Sequence, residues 1–180
     1  MPVWGLPGAS GTFWTQISKQ TLGSSASSFP AITGLSGTTD REYMLKISVT
    51  SAETGNHNLV VQINGDATAA HYSTQGLYES GTIVTGITYT ASLGIWATTI
   101  PDNGHFLESE VLIRAGTVQS KIMYFVRAMV DANTGSPYYY SLGGWWTGNA
   151  NITQLQVLDD NGTAGLASGS VVELWVARTF

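Results

Sequence analysis

The residues of this chain that could do chemistry are few. His57, His71 and His105 are its only histidines. They stand far apart, and none has the spacing of a metal-binding His-x-x-x-His pair. His57 falls in a turn, while His71 and His105 fall in long loops. A Ser-His-Asp site is recognised by geometry and is not excluded by sequence order. No Gly-x-Ser-x-Gly elbow accompanies these histidines, however. Glu108 and Glu110 alternate along a strand-like segment, so both face one way, roughly 6–7 Å apart by strand rise. Glycoside hydrolysis uses two carboxylates about 5–10 Å apart in a cleft; the simpler reading is a solvated strand face. Two acidic turns, Asn64-Gly65-Asp66 and Asp159-Asp160-Asn161-Gly162, could offer oxygens to Ca²⁺. Neither has the spacing of an EF-hand loop. Asn-Gly tolerates positive φ, so both read as turns, the second as a type I′ hairpin joining the strand Ile152–Leu158 to the last strand. The residues call for no cofactor and no metal, and the chain is expected not to be an enzyme.

The aromatic residues carry more. Tyr138-Tyr139-Tyr140 and Trp145-Trp146 crowd one short stretch. Consecutive strand residues face opposite ways, so Tyr139 and one of the two tryptophans must leave the core face. Exposed flat rings suit subunit contacts and sugar stacking alike. The burial of these rings, or their contact with another subunit, is the favoured reading.

Charged residues make up 11% of the 180 residues, and the net charge is −5. A typical soluble domain is about 25% charged. The surface must therefore be largely Ser, Thr, Asn, Gln and Gly, as where neighbouring subunits cover it. The seven basic residues are scattered singly, which argues against nucleic-acid binding. There is no cysteine and hence no disulfide or thiolate chemistry. No apolar run approaches the roughly 20 residues of a membrane span, and the first residues lack the basic and apolar regions of a signal peptide. Synthesis in a cytoplasm, with no membrane partner, is the expectation.

Residues 1–13 hold two prolines and three glycines among them, which excludes a helix. They read as an extended arm that still carries Trp4, Leu6 and Phe13. Residues 14–180 form one domain. Within it, β-branched and aromatic segments alternate with Gly, Ser, Asn and Asp clusters. Ten strands are predicted: Trp14–Leu22, Ser27–Ile32, Tyr43–Thr50, Asn58–Ile63, Ile87–Trp96, Leu107–Ala115, Lys121–Val130, Tyr138–Trp146, Ile152–Leu158 and Ser170–Arg178. Tyr43, Leu45, Ile47 and Val49 share a face. Residues 66–85 read as irregular, with at most one helical turn near Asp66–Tyr72. Such a pattern means a sandwich, a jelly roll or a barrel.

Three elements together resemble tailed-bacteriophage structural proteins. They are Ile152-Thr153-x-Leu155-x-Val157; Gly169-Ser170 followed by Val171–Val176; and Ile63-Asn64-Gly65-Asp66 with Tyr72-Ser73. Phe29-Pro30 with Tyr43-x-Leu45 resembles the stretch that precedes them. The likeness covers about Phe29 to Val176 and departs from the pattern at Gly55–Asn58 and at the Tyr138–Trp146 aromatics. It implies an all-β, antiparallel jelly-roll-like β-sandwich in a virion. With the apolar arm, it suggests a homotrimeric capsid decoration (cement) protein bound to the major capsid protein or other virion proteins. Trp4, Leu6, Phe13, Tyr139, Trp145 and Trp146 are then the expected subunit or partner contacts. The alternative is a tail-fibre or receptor-binding head that holds host-surface glycans on the same rings.

Overall fold

The computed structural model describes residues 13–55, 57–89, 93–100, 104–115, 122–130, 137–148 and 150–178. Twelve strands occupy them: β1 (Phe13–Thr21), β2 (Ile32–Thr33), β3 (Asp40–Thr50), β4 (His57–Ile63), β5 (Tyr72–Ser80), β6 (Ile83–Tyr89), β7 (Ile95–Ile100), β8 (Phe106–Arg114), β9 (Ile122–Val130), β10 (Tyr138–Trp146), β11 (Gln154–Asp159) and β12 (Val171–Arg178). One 3₁₀ turn, Ala69–His71, precedes β5. Phe13, taken above as the end of the arm, already pairs with Arg178. Trp4 and Leu6 lie outside the described residues.

All pairings are antiparallel, and the strands form two sheets. One runs β1-β12-β3-β8-β9-β10-β5-β6, the other β2-β11-β4-β7. The logic is a long folded hairpin. β1 pairs with β12, β2 with β11, β3 with β8 and β4 with β7. Successive pairs fall alternately in the two sheets, which is the wrapping of a jelly roll. Two hairpins are inserted into this frame, β5–β6 between β4 and β7 and β9–β10 between β8 and β11. They join each other through β10 and β5 and lengthen one sheet from four strands to eight.

Alternation decides which side chains meet between the sheets. Tyr43, Leu45, Ile47 and Val49 of β3 are buried, as are Leu107, Val111 and Ile113 of β8 and Val172, Leu174 and Val176 of β12. β4 and β7 are buried almost throughout, because each is covered by the larger sheet and by connecting loops. The inserted strands reach the core through aromatic rings. Tyr89 stacks on Trp96 at 4.1 Å, Tyr140 meets Trp96 edge-on at 5.2 Å, and Tyr78 stacks on Tyr140 at 5.9 Å. Such pairs contribute roughly 0.5–1.5 kcal/mol each beyond their burial.

Two sequence expectations are corrected. β5 and β6 lie where an irregular stretch was expected, and the predicted strand Ile87–Trp96 is really the end of β6 and the start of β7. The inward positions of β5 are Tyr72, Thr74, Gly76, Tyr78 and Ser80, which lack the aliphatic alternation that marks a strand. In addition, β11 and β12 are not a hairpin, since they belong to different sheets. The connection between them crosses the sandwich. Of its Asn161-Gly162 pair only Gly162 has positive φ, at 71°, so the turn is not type I′.

Gly76 faces inward on β5, and a Cβ there would collide with the Ser141 carbonyl and Leu142 of β10. Gly86 of β6 has open space around its Cα. Gly76→Ala should therefore cost about 1–3 kcal/mol through overpacking. Gly86→Ala should be neutral or stabilising by up to about 1 kcal/mol. Urea denaturation of the two variants beside the parent chain measures the difference.

Candidate functional site

The outward face of the eight-stranded sheet is not covered by the other sheet. It carries a groove of about 620 Å³ across β12, β3, β8, β9 and β10. Strand register sets its floor. Lys19, Glu173, Lys46, Glu110 and Arg127 stand in one row across β1, β12, β3, β8 and β9, and Ser141 of β10 continues it. The charges alternate in sign along the row. In the next row Ser48, Glu108, Met129 and Tyr139 are neighbours. Side chains directly opposite one another have Cβ atoms about 4.5–5.5 Å apart.

The two halves of the charged row differ. Lys19 bonds Glu173 at 2.9 Å, and Lys46 lies 5.4 Å over the Trp175 ring. Lys19 and, against a smaller effect of burial, Trp175 and Lys46 hold the Glu173 carboxyl below its ordinary value. Among the described residues, Glu108, Glu110 and Arg127 make no ion pair and no hydrogen bond. Their heads stand free in the groove beside Tyr139, which is 48% exposed.

The aromatic hairpin divides as alternation requires. Tyr139 and Trp145 point to the outer face, with Trp145 37% exposed. Trp146, expected at a partner contact, turns inward and is 3% exposed. It packs in the core and donates its indole N–H to Asp66 Oδ2 at 2.7 Å. Tyr138 and Tyr140 line a separate cleft on the inner side of the sheet with Tyr78 and Tyr89. Of Phe13, only the backbone pairing is described. Glu108 and Glu110 do share a face, as their spacing predicted. The neighbours Lys46 and Arg127 were not legible, because cross-strand register is a tertiary property.

The remaining polar candidates make hydrogen bonds within the fold. Asn64 and Gly65 both have positive φ, 55° and 69°, and make a tight turn after β4. The Asn64 carboxamide oxygen accepts from Thr153 N at 2.8 Å and Gln154 N at 3.1 Å, and its Nδ2 donates to the Asn151 carbonyl. Asp66 accepts from the Thr68 amide and from Trp146, and its Oδ2 lies 2.7 Å from His71 Nδ1. Burial would raise its pKa, but these hydrogen bonds outweigh that effect and hold it at about 2. Asp159 is fully buried and accepts from the Asn161 amide and the Thr163 hydroxyl. Asp160 accepts from the amide and side chain of Asn58. His57 is the buried first residue of β4 and does not sit in a turn. It contacts Asn161 Nδ2 at 2.5 Å, with Asp159 3.9 Å away. No hydroxyl nucleophile bonds His57 or His71 among the described residues, whose His, Asp and Glu form no metal-holding cluster.

Comparisons with known proteins add little. No family model matches the chain, and no curated protein matches it. A solved structure of a protein of unknown function from Shewanella oneidensis MR-1 aligns over 99% of this chain and 83% of its own, at 9% identity and a TM-score of 0.23. At that score the likeness bears on neither fold nor function. What the strand order itself defines is an antiparallel jelly-roll sandwich with one sheet enlarged.

The folded pKa of Asp66 lies below the unfolded value of about 3.9. Its ionised form therefore contributes stability that is fully present above about pH 4 and is lost as pH falls toward 2. Asp66→Asn should destabilise the protein by about 1–2 kcal/mol at pH 7 and by much less near pH 2. Thermal melts of both proteins across that range check the convergence.

Proposed function

We propose that this chain is a bacteriophage virion structural protein, a capsid decoration subunit that stabilises the shell by bridging capsomers. The observation that carries the reading is where the uncovered apolar side chains lie. Most of them, Leu77, Ile83, Val84, Phe125 and Trp145 included, belong to the four inserted strands, with Ile83 and Val84 63% and 61% exposed; Trp14 and Ile17 of β1 and Leu93 are the exceptions. The inserted strands give the core Tyr72, Tyr124, Val126, Leu142 and Trp146 on their inner side, yet leave these other apolar side chains outside it. They enlarge the sheet and present apolar surface outside it, which in soluble proteins marks an interaction site. The low charge of the chain supports the same reading, since desolvating a nearly uncharged surface costs little on assembly. The resemblance of the Ile63–Asp66 and Ile152–Val157 elements to tailed-phage structural proteins supplies the class of partner.

β6 ends the enlarged sheet, so its backbone edge and its Ile83-Val84 pair are offered together. A cement protein acts by adding interface at the weak seams of a shell, and a stable seam contact buries about 1,200–2,000 Å² in total. A homotrimer places three such edges around one symmetry axis. The arm residues Trp4 and Leu6 remain candidates for gripping a neighbouring subunit.

Purified protein mixed with undecorated capsids of the phage that encodes it should pellet with them. The double variant Ile83→Asp, Val84→Asp should bind at least about tenfold more weakly, as loss of a buried interface anchor does, with its circular dichroism unchanged. Removal of residues 1–12 should also weaken binding. Decoration by both variants at the parent level would sink this function.

A further inference from the structure

We infer that the groove on the outward face of the eight-stranded sheet is a binding site for a neutral oligosaccharide. The inference rests on the groove alone and stands apart from the virion assignment. Four features carry it. The site is concave, about 620 Å³, and lies on the broad face of the sheet, not at an edge. There the backbone groups are already paired within the sheet, so a ligand must be recognised through side chains. A peptide that adds as a strand needs a free edge and has none here.

Next, the lining side chains are those that sugar hydroxyls require. Glu108 and Glu110 offer carboxylate acceptors, Arg127 offers a fork of donors, and Ser141 offers both. Glu108, Glu110 and Arg127 are unpaired among the described residues. Glu110 and Arg127 are cross-strand neighbours, so donors and acceptors stand side by side in the floor. Vicinal hydroxyls both donate and accept, and a row of alternating charges matches that pattern along its length.

Third, Tyr139 presents an exposed ring at the end of the groove. A flat aromatic face packs against the C–H face of a pyranose while its neighbours bond the ring edge. Fourth, the lining charge selects against anionic ligands. Glu108, Glu110 and Glu173 oppose Lys46 and Arg127 in the lining. This is no sink for phosphate or sulfate, and it gives no reason for an anionic polymer to dwell there. From β12 to β10 the floor spans four strand spacings, about 19 Å at about 4.8 Å each, which is the scale of a short oligosaccharide.

The test is isothermal titration with neutral hexasaccharides, namely cellohexaose, xylohexaose, laminarihexaose and maltohexaose, with heparin as the anionic control. At least one neutral hexasaccharide should bind, with an affinity unchanged between 50 mM and 500 mM NaCl, because no net charge is neutralised. Tyr139→Ala and Glu110→Ala should each weaken it about tenfold or more, the loss expected for a charged hydrogen bond or a stacking contact. Gln75 is exposed on β5 and outside the groove, and Gln75→Ala should leave the affinity unaltered. Melting temperatures identify any variant that fails to fold; Glu110→Gln, which keeps the shape, then replaces Glu110→Ala. Three results would overturn the assignment. They are no binding by any of the four sugars, binding indifferent to Tyr139 and Glu110, or groove-dependent capture of peptides from a random library in place of sugars.

Discussion

The ladder between β5 and β10 is the contact on which the enlarged sheet depends. It runs without a bulge from Tyr138 opposite Ser80 to Trp146 opposite Tyr72. Each of these strands belongs to a different insertion, so the pairing is what turns two separate hairpins into one continuous surface. Its end is clamped by Asp66. The Trp146 indole donates to the Asp66 carboxylate, and the Tyr72 hydroxyl donates to the Asp66 carbonyl while accepting from the Ile63 amide. The two residues that close the ladder are thus tied through one residue, Asp66, to the turn that ends β4. Burial raises the Tyr72 pKa further above its ordinary value, so its hydroxyl is a donor at neutral pH.

The jelly-roll frame was largely legible in the sequence, and the insertion that makes the site was not. β3, β8 and β12 declare themselves because apolar side chains occupy nearly every inward position, Ser109 of β8 excepted, and a period of two is then visible along the chain. β10 is legible from its aromatics, and the opposed orientation of Trp145 and Trp146 follows from the pleat. β5 fails every such criterion. Its inward side carries tyrosine, threonine, glycine and serine because it packs against rings and a close backbone, with no aliphatic layer facing it. Tyr124 shows the compensation: its hydroxyl bonds Thr74 and the Ser73 carbonyl, and burial pushes its pKa up to about 12. Polar residues on a buried strand can only be read once their partners are known, and the partner of Thr74 comes from a strand 50 residues away. The same limit hid the charged row, whose five members are scattered from Lys19 to Glu173.

A sheet of eight strands facing a sheet of four has an unequal division of labour. The smaller sheet and its loops bury one face of the larger. The other face has no covering layer among the described residues. Opposite charges across neighbouring strands add about 0.2–1 kcal/mol per pair, so the row Lys19–Glu173–Lys46 stabilises one end of that face. The other end leaves Glu110 and Arg127 uncommitted. An exposed ion pair is worth too little to enforce contact, and for that reason such groups can turn to a ligand with little loss of stability.

Register connects these two faces. A slip of one residue in β10 would bring Tyr139, Ser141 and Trp145 inward and send Leu142 and Trp146 to solvent. The slip is resisted on the inner side, where Gly76 and Gly144 sit so close to opposing backbone and to Tyr124 that no other residue fits without displacement. A slip that carried Trp145 into the Gly144 position would drive a side chain against the Ser73 carbonyl and Tyr124. The outer groove therefore inherits its geometry from contacts it never touches. Its residues can vary with little effect on folding, provided the glycines and the inward tyrosines stay. Jelly-roll surfaces of this construction can change what they bind while the frame beneath them remains the same, because adjacent residues of one strand answer to different constraints.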